Sequence, residues 1–168
     1  MQLNKPIVLF DIDYTLFNTD RFKKSGLKDY SLYPGNLEAL EDLAELADLG
    51  IFSQEVPPVS QIRKLEETGI RRYFPNQRIH LYADKLAEMR RVLEKYRDRR
   101  KIVLVDDKLS VLDQVKKTNP RVVTVWINKG PYAKQQPEIE GSKPDAEVGD
   151  LASLTPFIKN LCVEFLVT

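Results

Sequence analysis

Apolar residues recur along this chain in two alternating rhythms. Short unbroken runs alternate with stretches in which apolar positions return every three or four residues. The first run, Ile7-Val8-Leu9-Phe10, lies between Pro6 and Asp11 and reads as a strand buried on both faces. After Pro34-Gly35, the residues Leu37, Leu40, Leu43, Ala44 and Ala47 stand at helical spacing. Gly50 ends that stretch, and Ile51-Phe52-Ser53 reads as a short second strand. Beyond the Pro57-Pro58 break, Val59, Ile62 and Leu65 mark a helical segment that stops near Gly69. A third strand is expected over residues 78–82, and Leu86, Met89, Leu93 and Tyr96 mark one face of the next helix. Ile102-Val103-Leu104-Val105 is a clear strand, and Val111, Leu112 and Val115 belong to a helix stopped by Asn119-Pro120. A further strand covers residues 122–127, and a terminal helix is expected over about residues 151–160. Between them, residues 128–145 carry Gly130, Pro131, Pro137, Gly141 and Pro144 and read as a surface loop. Residues 14–33 are turn-rich with no long apolar period.

Strand and helix therefore alternate, which predicts an α/β fold with a mostly parallel sheet and helices on both faces. A length of 168 residues suits one domain, here taken as residues 1–168, large enough to bury a core without disulfides or a structural metal. In such sheets ligands bind beyond the carboxyl ends of the strands, so the polar residues there are the candidates for chemistry.

Composition removes several classes of function. Lys and Arg number 26 against 25 for Asp and Glu, and a formal net charge of +1 gives no global pull toward nucleic acid or a membrane surface. The single cysteine, Cys162, allows neither an intrachain disulfide nor a cysteine zinc site, and a reducing cytoplasm is the expected setting. The first apolar run is too short and too soon followed by acids for a signal peptide. No apolar run approaches the ~18 residues of a membrane span.

At the strand ends the chain gathers a specific set of groups. Asp11 and Asp13 follow the first strand at i and i+2, with Thr15 placed to hydrogen-bond locally in the turn. Ser53 ends the second strand, Lys85 opens the third helix, and Asp106-Asp107 ends the fourth strand. Carboxylates grouped without cysteine or several histidines suit a hard cation such as magnesium. A phosphate ester would explain each type. An Asp carboxylate can attack phosphorus, and a second acid can move protons. A hydroxyl and an ammonium can hold the equatorial oxygens. His80, the only histidine, lies in a strand pattern and reads as structural, and Trp126 reads as core with the Tyr132 loop near a substrate mouth. The run Arg97-Asp98-Arg99-Arg100-Lys101 reads as a solvated helix end.

These residues carry a family resemblance. Phe10-Asp11-Ile12-Asp13-Tyr14-Thr15-Leu16 resembles the first motif of the haloacid dehalogenase-like hydrolases, Asp-x-Asp-x-Thr after a hydrophobic strand. Ile51-Phe52-Ser53 is similar to their second motif, Lys85 to the third-motif lysine, and Val103-Leu104-Val105-Asp106-Asp107 to the fourth motif in its paired-acid form. Leu65-Glu66-Glu67-Thr68-Gly69-Ile70 with Tyr73-Phe74 also looks like the stretch between the second and third motifs. The likeness covers about residues 6–127 in the right order.

The resemblance implies a Rossmann-like three-layer αβα sandwich with a minimal cap insert, about residues 14–33, after the first strand. It implies a Mg2+-dependent phosphomonoester hydrolase in which Asp11 is phosphorylated and Asp13 is the acid/base. Asp11, Asp13 (through its carbonyl), Asp107 and Asp106 would surround the metal, and Ser53 and Lys85 would hold the phosphoryl group. Thr15, Phe17, Arg21 and Phe22, with Lys23 and Lys24, are the insert positions expected to meet the leaving group. So small an insert implies an open site, suited to a bulky phosphorylated substrate such as a phosphoprotein or a nucleic-acid end, or a lid lent by a partner subunit. No oligomeric state follows from the sequence. The fourth motif departs from the family's pattern: Lys108 follows the acid pair, Ser110 and Val111 stand where a later acid is expected, and Asp113 is the nearest one. A weakly active or inactive binding relative and a phosphotransferase of the same superfamily are the alternatives. A phosphoacceptor receiver domain has the same groups in a different order.

Overall fold

The computed structural model describes residues 5–163. The opening apolar run becomes β1 (Ile7–Phe10), every residue of which is buried. Side chains of a strand alternate faces, and here that alternation founds two cores. Val8 and Phe10 point into one cluster with Leu40 and Leu43 of α2 (Asn36–Leu46), Leu65 of α3 (Gln61–Glu67), and Leu154 and Ile158 of α7 (Leu154–Val163). Ile7 and Leu9 point into the other, with Met89 and Val92 of α4 (Lys85–Glu94) and Val111, Leu112 and Val115 of α5 (Leu109–Thr118). The result is the expected three-layer sandwich.

The sheet adds β2 (Asp48–Gln54), β3 (Ile79–Tyr82), β4 (Ile102–Asp106), β5 (Val123–Ile127) and β6 (Ala146–Val148), in the order β3-β2-β1-β4-β5-β6. Every pairing is parallel. After β1 the chain fills the sheet toward β3, then crosses to the other side of β1 to lay down β4. Such a reversal opens a crevice between the carboxyl ends of β1 and β4.

Three local differences from the sequence reading have physical causes. β2 starts at Asp48, not Ile51, because the Asp48 carboxylate is clamped by Arg78 and Arg99, each at 2.6 Å, and its N–H donates to Pro6. Gly50 is thus a strand residue, placed where a Cβ would lie 2.8 Å from the Arg78 carbonyl oxygen and from Leu9 Cδ2. The segment read as a loop over residues 128–145 instead contains α6 (Gly130–Gln135) and leads into edge strand β6. The insert after β1 holds a short helix, α1 (Thr19–Lys24), and is closed by a Phe17–Leu32 bridge and a hydrogen bond from Asn18 N–H to Ser31. Among the described residues, no helix is long and apolar enough to cross a membrane.

Candidate active site

Asp11 follows the last residue of β1, and its N–H still pairs with the Val105 carbonyl of β4 at 3.0 Å, which fixes it at the crevice. Its Oδ1 accepts from Ser53 Oγ at 2.9 Å and from Lys85 Nζ at 3.0 Å. Lys85 is buried at the first turn of α4, whose N-cap, Asp84, accepts from the Ala87 N–H. The same ammonium lies 2.5 Å from Asp106 Oδ2, while Asp106 Oδ1 accepts the Lys108 N–H at the start of α5. Asp106 is therefore engaged on both oxygens.

Asp107 is not. It is 1% exposed, and neither carboxylate oxygen has a hydrogen-bond partner. Its backbone, by contrast, is pinned: the carbonyl accepts from Trp126 Nε1 at 3.0 Å and from Gln136 Nε2 at 2.7 Å. An ionised carboxylate so placed is costly unless a cation faces it. Asp11, Asp106 and Asp107 each offer an oxygen, and the three atoms lie within 4.8 Å of one another. Burial, then Asp106 and Asp11, push the Asp107 carboxyl up to about 8. Burial likewise lifts Asp11 to about 6, against the pull of Lys85 and with Asp106 and Asp13 adding to the rise. Burial opposes the charge on Lys85, but Asp106 and Asp11 outweigh it and hold its pKa above the usual range. An orphaned buried carboxylate beside two more acids fits a divalent hard cation. Asp11 and Asp107 are the residues with oxygen capacity left to hold one.

Asp13 has a different environment. Oδ1 accepts from Lys64 Nζ at 2.6 Å and Thr19 Oγ1 at 2.9 Å, and Oδ2 accepts from Gln61 Nε2 at 2.7 Å. Burial would raise its pKa, but the Lys64 charge and these bonds prevail and the carboxyl is held below its ordinary value. Lys64 is 6% exposed, its ammonium 5.0 Å from the Phe17 ring centroid. Gln61 and Lys64 were missed in the sequence. Their signal was faint: with Leu65 and Thr68 they stand at i, i+3, i+4 and i+7, which puts two polar groups on the buried side of α3.

Asp11, Asp13, Ser53 and Asp107 meet at one cavity of about 360 Å3, with Lys85 beneath them. Phe22 lines this cavity as well. Thr15 and Phe17 are buried outside its lining, and Arg21 turns outward to pair with Asp29 at 2.6 Å. The local bond expected of Thr15 is not made: its buried Oγ1 has no partner, and Thr19 ties the turn instead, accepting from Tyr14 N–H while donating to Asp13. Asp113 lies outside the site, paired with Lys117 at 2.7 Å. Gln136 braces the turn after β4, donating to the Asp107 carbonyl and accepting from the Leu109 N–H at 2.6 Å. His80 is buried as expected, with Nε2 2.6 Å from the Tyr96 hydroxyl. Tyr132 lines the mouth.

No protein-family model matches the sequence, and no curated protein matches it significantly. Solved structures do match. One, described as a haloacid dehalogenase-like hydrolase from Burkholderia xenovorans LB400, is 24% identical with a TM-score of 0.78, covering 94% of this chain and 98% of its own. The HAD-hydrolase YfnB of Bacillus subtilis, solved bound to magnesium, is 12% identical with a TM-score of 0.68, covering 93% and 99%. A 2-haloacid dehalogenase from Pseudomonas syringae pv. Tomato DC3000 is 16% identical with a TM-score of 0.63, covering 94% and 99%. With the sheet order and the two-sided helical layers, these likenesses show that the chain has the fold of the haloacid dehalogenase-like hydrolases.

Proposed function

We propose that the protein is a magnesium-dependent phosphomonoester hydrolase that works through an aspartyl phosphate on Asp11. The observation that carries this reading is Asp107, buried with both oxygens unpartnered, next to a carboxylate held by Ser53 and Lys85. Asp11 Oδ attacks phosphorus, the ester P–O bond breaks, and the alcohol leaves with a proton from Asp13. Water then attacks the phosphorus. Asp13 takes its proton, the Asp11–phosphate bond breaks, and inorganic phosphate departs. Ser53 and Lys85 hold the phosphoryl oxygens through both steps. A bound magnesium ion, held by Asp11, Asp107 and the Asp13 carbonyl, would neutralise charge on the phosphoryl group.

Dehalogenation is the competing reaction on this fold. Halide leaves a carbon centre without a proton, and a haloacid is a monoanion. Neither a general acid for the leaving group nor an orphaned carboxylate fit for a cation serves that departure, whereas a phosphate ester dianion calls for both. The intact set of Asp11, Asp13, Ser53 and Lys85 also favours catalysis over a binding or scaffold role.

The test is phosphate release from an aryl phosphate, with magnesium and with chelator, beside Asp11→Asn, which keeps the shape and removes the nucleophile. Turnover that needs magnesium and disappears in the variant is the expected result. Chloride release from 2-chloropropionate in chelator, with no phosphate release from any ester, would overturn the reading in favour of dehalogenation.

A further inference from the structure

Five large apolar side chains are exposed among the described residues: Leu27, Val56, Leu86, Tyr132 and Val163. Single exposed apolar residues are ordinary. Here Leu27, Val56 and Tyr132 come from three separate segments and line the same cavity, the one that holds Asp11. Each is fixed by its backbone or its neighbours. Leu27 sits at φ 66°, a left-handed conformation that a β-carbon disfavours, with its N–H bonded to the Phe22 carbonyl at the end of α1. Val56 is bridged to Val59, itself a lining residue. The Tyr132 ring stands edge-on to Tyr14 at 5.5 Å between centroids.

Charge limits what these side chains can meet. Asp11, Asp13, Asp106 and Asp107 are faced by Lys85 and Lys64 and, in the reading above, by one divalent ion, which balances them. A phosphate dianion is then matched by Lys23 and Lys108, the remaining cations that line the cavity. None of the lining cations remains for a second anionic group. A volume of about 360 Å3 holds a phosphoryl group and roughly one ring, near the small end of the ~300–1,000 Å3 range of ligand sites.

We infer that the substrate is the phosphate monoester of a compact, uncharged, apolar alcohol, whose leaving group rests on Leu27, Val56 and Tyr132. This rests on the phosphomonoesterase reading and narrows it to a class of substrate. The test compares kcat/KM for 2-phenylethyl phosphate and glycerol phosphate. Both release aliphatic alcohols, so the ratio reports the apolar rim and not leaving-group reactivity. The expected ratio is about tenfold or more in favour of the phenylethyl ester, since apolar contacts of this size discriminate on that order. The double variant Leu27→Asn/Val56→Ser is expected to bring the ratio to within about threefold of unity. Leu86→Asn, at a leucine of like exposure outside the cavity, leaves it unchanged. Equal rates for the two esters, preference for glycerol phosphate, or faster turnover of a phosphopeptide or a 5′-phosphorylated oligonucleotide would overturn the inference while leaving the reaction intact. If no ester turns over, the reaction fails and the ester substrate with it, and binding reads the rim alone: 2-phenylethylphosphonate binding about tenfold tighter than 2-hydroxyethylphosphonate, with the difference lost in the double variant, upholds the apolar rim, and equal affinities overturn it.

Discussion

Asp13 accepts hydrogen bonds on both carboxylate oxygens, and the strongest partner, Lys64, is a buried cation. That arrangement favours the base form of Asp13, the form that takes a proton from water in the second half of the proposed reaction, and the proton given to the leaving alcohol in the first half is taken up against it. Replacing Lys64 by Met removes the charge and keeps much of the stem's volume. Burial, the largest influence on Asp13, then acts without its main opponent, and the Asp13 pKa rises. Where hydrolysis of the aspartyl phosphate limits turnover, the acid limb of kcat is expected to move to higher pH, with a loss of about 10–100-fold below neutrality. Gln61→Leu removes one neutral donor and is expected to cost about tenfold or less. A pH–rate profile of Lys64→Met that overlays the parent's would show that the pair is structural only. The other acids divide the work by partner. Asp106 is committed to Lys85 and to the start of α5, whereas Asp107, one residue on, keeps its oxygens free for a cation.

At the scale of elements, α6 meets the turn after β1 at a close contact. Gly130, at φ 76°, lies against Tyr14, and a Cβ there would stand 2.4 Å from Tyr14 Cδ1. Tyr14 is itself at φ 60° between Asp13 and Thr15, so the first turn of α6 and the turn after β1 are pressed together. Gly130→Ala adds left-handed strain to that clash and is expected to destabilise the fold by about 1–3 kcal/mol, read as a lower urea midpoint with an unchanged slope. An unchanged midpoint would mean that this contact is loose. The same region marks how far the sequence could be read. β1 and β4 were legible because four apolar residues in a row ending in acid have few other uses, and Asp11, Asp13 and Asp106-Asp107 follow from those strand ends, with Ser53 near the end of β2 and Lys85 at the start of α4. α1 and α6 have six residues each, too few turns for an apolar period to show, and β6 has three. Lys64, Gln61 and Gln136 reach the site only through the packing of α3 and α6 against it. No local pattern in their own segments reports which side chain a neighbouring element will meet.

For the whole molecule, the buried titratable groups make stability depend on pH and, in the proposed reading, on metal as well. His80 is held down at about 4 by burial, with Lys95 adding, so the unfolded chain binds more protons than the folded one between about pH 4 and 6.5. Stability therefore rises with pH across that interval and gains nothing further from His80 above it. Asp11 and Asp107 act in the opposite sense. Their folded values, about 6 and about 8, lie above the 3.8 of an unperturbed Asp, so the folded chain binds the extra protons and stability falls as pH rises through them. Above pH 7 His80 is silent and Asp11 is largely ionised, which leaves Asp107 to govern the slope. In chelator, Tm is expected to fall by several degrees between pH 7 and 8.5, at about 2–4 °C per kcal/mol for a chain of this size. In the proposed reading magnesium binds the ionised form, so its stabilising increment is expected to grow over the same interval. Asp107→Asn removes the charge and keeps the shape. In chelator it should flatten the profile and melt above the parent at pH 8.5, and it should lose the magnesium increment at every pH. A parent Tm that stays level in chelator from pH 7 to 8.5 would mean that Asp107 ionises without cost. A variant that keeps the full increment would place the metal away from Asp107 and remove the observation on which the phosphatase reading stands.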